Sequence, residues 1–251
     1  MTDLSNKVAV VTGSARGVGR AIALRYANLG ARLVVNYSHD EANAARTVDE
    51  ITALGGEAIA IRGDVSQVTD LERLFGGALD AYGRMDIVVA NAGVELPLTP
   101  LAEATEEQYD RLFGINTNGA FFTLKLAADH IADNGRILYI GSSTTVAPLA
   151  GAGLYGSSKM AVRYLADVLA LEVGHRGVTV NTIIPTAVEG AGIFTDIAED
   201  DPFRQSMAQF RPIGGRLGTP EDVADAAEYF ASDLAAWVSG QYLVLAGGAH
   251  Q

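Results

Sequence analysis

The chain has 251 residues, enough to bury a substantial core, with 49% hydrophobic and 19% charged residues, 28 glycines and no cysteine. That balance excludes a disordered chain, and the absence of cysteine excludes disulfides, thiol catalysis and cysteine-held zinc. A net charge of −12 opposes general binding to nucleic acid, whose phosphates call for a cationic surface.

The start of the chain, up to Lys7, has no basic residue followed by an apolar stretch, so it does not read as a signal peptide. No run approaches the roughly 18 uncharged apolar residues of a membrane span, and a cytoplasmic protein with no membrane partner is expected. A strand is predicted over residues 7–13 (KVAVVTG), a helix over 19–29, a strand over 32–37 and a helix over 40–54. A strand over 58–65, a helix over 69–82 and a strand over 85–93 follow. Next come a long helix over 105–132, a strand over 136–142, a helix over 155–175 and a strand over 178–185. A helix over 220–231 and a strand over 241–247 complete the order. Thr69 and Thr105 each precede acidic residues and an apolar period, the signature of a helix N-cap. The strand cores are nearly continuous Val, Ile and Leu, as parallel strands covered on both faces require. The expected fold is α/β: one Rossmann-like doubly wound domain over 1–251, with about seven parallel strands and helices on both faces. Residues 186–218 show no clear period and exceed a normal connection, so they read as a lid over a site.

After the first strand comes Thr12-Gly13-Ser14-Ala15-Arg16-Gly17-Val18-Gly19, and then the first helical pattern begins. Glycines there permit a tight turn and close approach of backbone to a ligand. The helix that follows offers free N–H groups and the positive end of its dipole to a pyrophosphate. The spacing is G-x-x-x-G-x-G, and in this the sequence resembles the short-chain dehydrogenase/reductase family over nearly its whole length. The resemblance implies contacts to a nicotinamide dinucleotide from Gly13, Ser14, Arg16, Gly17, Val18 and Gly19. It also places Asp64-Val65 at the adenine ring and Asn91-Ala92-Gly93 beside the cofactor and the central sheet.

NAD-preferring Rossmann proteins carry a carboxylate at the tip of the second strand, about 20 residues past the glycine loop. Here that tip is Asn36-Tyr37-Ser38, with Tyr37 where NAD-type members of the family have Asp. Arg16 resembles the basic residue with which NADP-type members grip the 2′-phosphate, and Ser38 adds a hydroxyl. Asp40, two residues on from Ser38, counts against that reading. NADP(H) is the expected cofactor, with NAD(H) as the alternative.

Tyr155-Gly156-Ser157-Ser158-Lys159 puts Tyr and Lys one helical turn apart on one face. A phenol titrates near pH 10, so a neighbouring ammonium is needed to favour its ionised form. Ser142, in Ile140-Gly141-Ser142-Ser143, resembles the family's catalytic serine, with Ser143 as its rival. Asn116, in Ile115-Asn116-Thr117-Asn118-Gly119, resembles the family's fourth catalytic residue. Gly119 and Gly114 would help bend the long helix there and free a backbone carbonyl. The resemblance implies hydride transfer between nicotinamide and a carbonyl or alcohol. Tyr155 would be the acid–base, Ser142 would hold the substrate oxygen, Lys159 would tune Tyr155 and bind the nicotinamide ribose, and Asn116 would maintain a proton relay.

The chain departs from the family after the sixth strand. Pro185-Thr186 stands where Pro-Gly is usual, so Thr186 and Thr195 by hydroxyl and Val188 by backbone are all candidates for the nicotinamide carboxamide. A small-molecule ketone, aldehyde or alcohol is the expected substrate. The rivals are a 3-oxoacyl-(acyl carrier protein) reductase, which the acidic chain disfavours, and a non-catalytic NADP-binding regulator. No G-x-S-x-G elbow suggests a hydrolase, and His39, His130, His175 and His250 have no ligand spacing, so no metal is expected. A homotetramer is expected, as in many members of the family, with the helices over 105–132 and 155–175 forming one interface and the last strand contributing to another.

Overall fold

The computed structural model describes residues 2–96, 98–195 and 197–249, and His250 lies outside them. The strands are β1 (Val8–Val11), β2 (Arg32–Tyr37), β3 (Ala58–Arg62), β4 (Ile87–Ala90), β5 (Arg136–Ile140), β6 (Thr179–Pro185) and β7 (Gln241–Leu245). They form one parallel sheet in the order β3-β2-β1-β4-β5-β6-β7. The helices are α1 (Gly17–Asn28), α2 (Glu41–Ala53), α3 (Val68–Tyr82), α4 (Glu106–Leu112), α5 (Ala120–His130), α6 (Gly153–Val173), α7 (Pro202–Gln209) and α8 (Pro220–Ala231).

Side chains along each strand alternate between two cores, one on each face of the sheet. Ala9 and Val11 of β1 pack with Ile22 and Tyr26 of α1, Ile51 of α2 and Phe230 of α8. Val8 and Val10 face the other way, toward Leu74 and Phe75 of α3, Leu124 of α5 and Val162 of α6. This two-sided burial explains why the strands read as continuous apolar runs. Tyr26 anchors α1 to α8 by donating its hydroxyl to the Ala227 carbonyl at 2.9 Å. β1 pairs with β2 on one side and β4 on the other, so the loops leaving β1 and β4 diverge and open a crevice between them. Ligands of open α/β sheets bind at such a reversal.

β1 and β4 end at Val11 and Ala90, short of the predicted Gly13 and Gly93, and four further elements differ from the sequence expectation. The helix predicted over 105–132 is two helices joined by a π-helical segment, Phe113–Gly119. Thr105 does cap α4, in a capping box with Gln108. Thr69 caps nothing: α3 starts one residue before it, after Gln67, so Thr69 lies inside the helix. β3 ends at Arg62, although the Gly63 N–H still donates to the Tyr37 carbonyl at 2.8 Å, and Asp64 and Val65 belong to the loop. The segment over 186–218 is not featureless. It holds α7, started by Asp201 accepting from the Phe203 and Arg204 N–H groups, and a small core of Ala187, Phe194 and Leu217.

Candidate active site

A cavity of about 900 Å³ lies in the crevice, walled by the loops after β1, β4, β5 and β6. Of the residues expected to bind cofactor, Gly13, Arg16, Gly17, Val18, Gly19, Tyr37, Ser38, Asp64, Val65, Asn91, Ala92, Gly93, Tyr155, Lys159, Pro185, Thr186 and Val188 line it. Ser14 does not. Its hydroxyl is fully buried, donating to the Val11 carbonyl at 2.7 Å and accepting from the Asn36 N–H at 3.1 Å. It holds the turn on β2 instead of facing a ligand.

The turn suits an anion. Arg16 occupies the N-cap of α1 without a side-chain cap, and the first turn carries no acidic residue. The leading N–H groups of α1 and the positive end of its dipole therefore act at the cavity wall. Asn91 clamps β4 to the turn, donating to the Thr12 and Gly13 carbonyls at 2.9 and 3.2 Å. Arg16 is exposed at the rim, and among the described residues it has no ion-pair partner. Asp40 feels the Arg16 charge, yet its carboxylate is engaged by Asn43, whose backbone N–H and side-chain amide donate at 3.1 and 2.6 Å. A second cation that sequence reasoning missed, Arg62, donates to the Ser38 carbonyl at 3.1 Å. Only the parallel pairing of Arg62 with Tyr37 brings it there.

At the far end of the cavity, β5 delivers Ser142 and the first turns of α6 deliver Tyr155 and Lys159. Ser142 has an extended backbone, and its hydroxyl accepts from the Thr144 N–H and hydroxyl at 3.3 and 3.0 Å. Of the two serines, Ser142 is the one whose hydroxyl acts on the Tyr155 phenol, favouring its ionised form. Burial pushes the phenol above its ordinary range, the Glu95 charge adds to this, and Ser142 opposes it. The expected net lowering does not appear: removal from water is the largest influence on the phenol, and a carboxylate stands nearby. Lys159 is buried, donates to the Ile140 carbonyl at 3.2 Å and lies over the Tyr139 ring. Burial brings its ammonium down to about 8, with Glu95 working the other way.

Asn116 is fully buried below the cavity and does not line it. Its carbonyl accepts from the Val94 N–H at 2.8 Å, and its amide donates to the Val94 carbonyl at 2.8 Å and the Ser158 hydroxyl at 3.1 Å. The π-helical segment sets it at that depth, and such segments recur at functional sites. Gly93 lets the backbone lie close to this pair: a Cβ there would stand 2.9 Å from the Lys159 ammonium and 3.2 Å from the Asn116 carbonyl oxygen. Of the carboxamide candidates, Thr195 turns its hydroxyl back to the Gly192 carbonyl at 2.8 Å. The Thr186 hydroxyl accepts from Arg211 at 3.3 Å.

Glu95 is the site residue that sequence reasoning passed over. It lines the cavity, accepts from the Ile193 N–H at 3.2 Å and acts on both Tyr155 and Lys159. The available signal was a lone carboxylate within the apolar stretch Val94-Glu95-Leu96.

The family model described as enoyl-(acyl carrier protein) reductase matches residues 13–250. Hydroxynaphthalene reductase-like protein Arp2 of Metarhizium brunneum (strain ARSEF 3297) is 38% identical over 261 residues, covering 98% of this chain and 95% of that protein. A short chain dehydrogenase from Burkholderia cenocepacia J2315, solved in complex with NADP, superimposes with a TM-score of 0.90 at 30% identity, covering 98% of each chain. The promiscuous reductase LugOII, described as catalysing keto-reduction at C1 in lugdunomycin biosynthesis, also reaches 0.90, at 33% identity and coverage of 98% and 99%. The chain belongs to the short-chain dehydrogenase/reductase family of oxidoreductases.

Proposed function

We propose that this protein is an NADPH-dependent reductase of small-molecule ketones and aldehydes, with Tyr155 as proton donor. The observation that carries this reading is the Ser142–Tyr155–Lys159 group at the end of a cavity whose other end is an anion-binding turn. NADP(H) fits that cavity by the uncapped α1 terminus, the glycine turn and Arg16. Arg16 and Ser38 would take the 2′-phosphate, Asp64 and Val65 the adenine end, Lys159 the nicotinamide ribose and the Val188 backbone the carboxamide. When bound, the reduced nicotinamide supplies hydride.

The protein's own part is proton supply and charge stabilisation. A phenol held above its ordinary range stays protonated at neutral pH, the state a donor needs for reduction. Tyr155 gives its proton to the carbonyl oxygen as negative charge develops there, and the Ser142 hydroxyl donates to the same oxygen. The Lys159 ammonium then favours the phenolate left behind. Asn116 holds the 93–95 loop against Lys159 and, from within the π-helical segment, serves the route by which Tyr155 is reprotonated.

The apolar wall around Leu98, Leu149, Phe194, Phe203 and Met207 favours a small hydrophobic carbonyl substrate. The keto-reduction described for LugOII and the reductase name of the Arp2 protein point the same way. An association of four copies is supported by Leu171, Trp237, Tyr242 and Leu243, which stay exposed near the β7 edge and on α6. A mass of one chain by light scattering would refute it. The function is tested with a panel of ketones and aldehydes assayed with NADPH and NADH. Reduction with a preference for NADPH is expected, and no turnover of any carbonyl compound would overturn the reading.

A further inference from the structure

Glu95 lies where a carboxylate is expensive. It follows β4 within an apolar stretch and faces a wall that includes Leu96, Leu98, Ile193 and Phe203. It also lines a second, shallower cavity with Leu98, Gly192, Ile193, Ile197 and Phe203, so it stands between the site and the segment over it. The Gly192 backbone packs so closely on the carboxylate that any Cβ there would collide with it. Burial pushes the carboxyl upward, with the Ile193 N–H and the Lys159 charge opposing.

A carboxylate offers about four acceptor positions. Among the described residues, the Ile193 N–H occupies one, and no Lys, Arg or His forms an ion pair with it. If holding Ile193 were its whole task, a neutral amide oxygen would serve without the desolvation cost of a charge. The remaining acceptor capacity belongs to the cavity wall, within electrostatic reach of Tyr155 and Lys159, where the reacting carbonyl must lie.

We infer that Glu95 is a specificity-determining residue whose carboxylate accepts a hydrogen bond from a hydroxyl or ammonium group carried by the substrate near its reacting carbonyl. This rests on the carbonyl-reductase reading above. A donor-bearing ketone satisfies the carboxylate when water is displaced, whereas a ketone without a donor leaves it desolvated and unpaired. A ketone with its own carboxylate at that place meets like charge and is turned away.

The test uses matched ketones bearing a hydroxyl, an ammonium, a hydrogen or a carboxylate on the carbon beside the carbonyl. Each is assayed for kcat/KM with NADPH in the wild type, Glu95→Gln and Glu95→Leu. The wild type is expected to prefer the hydroxyl or ammonium ketone over the unsubstituted one by at least about tenfold. Glu95→Leu should collapse both ratios toward one. Glu95→Gln, which keeps an acceptor but loses the charge, should cut the ammonium ratio more than the hydroxyl ratio and admit the carboxylate ketone. The two donor arms thus say which group the residue selects, and using ratios cancels any general effect on turnover. A wild type without donor preference, or variants that lose activity equally on every ketone, would overturn the inference and reduce Glu95 to a contact for Ile193. Turnover without preference sinks only this inference; no turnover of any ketone sinks the reductase reading with it.

Discussion

Removing the Asn116 side chain should unfasten the loop that carries Gly93, Val94 and Glu95. The amide makes three hydrogen bonds, at 2.8, 2.8 and 3.1 Å, two of them to the Val94 backbone. Asn116→Ala leaves the Val94 N–H and C=O without those partners, and an unsatisfied buried group costs about 1–3 kcal/mol. Val94 is only half-buried, so water recovers part of that loss and the low end applies to each group. With the smaller Ser158 contribution, the total is roughly 2–4 kcal/mol. For a chain of this size that lowers Tm by roughly 4–16 °C. Activity should fall further than stability explains, because the loop passes directly against the Lys159 ammonium, and a misplacement of about 1 Å can cost about a hundredfold. Thermal melts and NADPH-linked ketone reduction, measured well below the variant's Tm, separate the two effects. A variant that melts with the wild type and keeps its kcat would refute the anchoring role.

Arg16→Ala should weaken NADPH far more than NADH, by about tenfold to a hundredfold, since one charge-assisted contact to the 2′-phosphate is lost. Tyr37→Asp should move preference toward NADH by supplying a diol acceptor and repelling the phosphate. Comparing kcat/KM for the two cofactors checks both, and equal weakening of both cofactors by Arg16→Ala would contradict the assigned pocket. Lys159 gives the cofactor-free protein a pH signature. Its folded value is about 8 against an ordinary 10.5, so above about 8 the unfolded chain holds more protons than the folded one. The cost of the buried ammonium is therefore fully present below about pH 8 and relieved as pH rises toward 10.5. Stability should rise across that window relative to Lys159→Met, by at most about 3 kcal/mol, and denaturant titrations with parallel pH dependence would exclude this.

The inner strands were legible because two-sided burial makes β1, β4 and β5 nearly unbroken apolar runs, and the edge strands β3 and β7 kept enough of that pattern to be read. The crevice was legible because the glycine turn and the Tyr155–Lys159 pair are local patterns. Features set by contacts between distant segments were not. Gly114 and Gly119 signalled a bend in the helix over 105–132, but nothing local announced that the bend is a π-helical segment, Phe113–Gly119, that buries Asn116. Glu95 is a site residue through groups far away in the chain: Tyr155 and Lys159, on which it acts, and Ile193, nearly a hundred positions on, from whose N–H it accepts. Arg62 reached Ser38 through strand pairing. In contrast, α7 carried a local signal apart from any apolar period, since Asp201-Pro202 is an N-cap followed by proline in the first turn. Thr69 lost the capping position because α3 starts at Val68, whose apolar side chain gave no sign of a helix terminus.

The central claim is that Tyr155 protonates a carbonyl reduced with NADPH. It is tested most directly by following NADPH consumption with a reducible ketone in the wild type and Tyr155→Phe, alongside NADPH binding to each. The phenyl ring keeps the packing and loses only the hydroxyl. The account predicts a fall in turnover of about a hundredfold to ten-thousandfold with NADPH affinity nearly retained. Turnover close to wild type in Tyr155→Phe would contradict it.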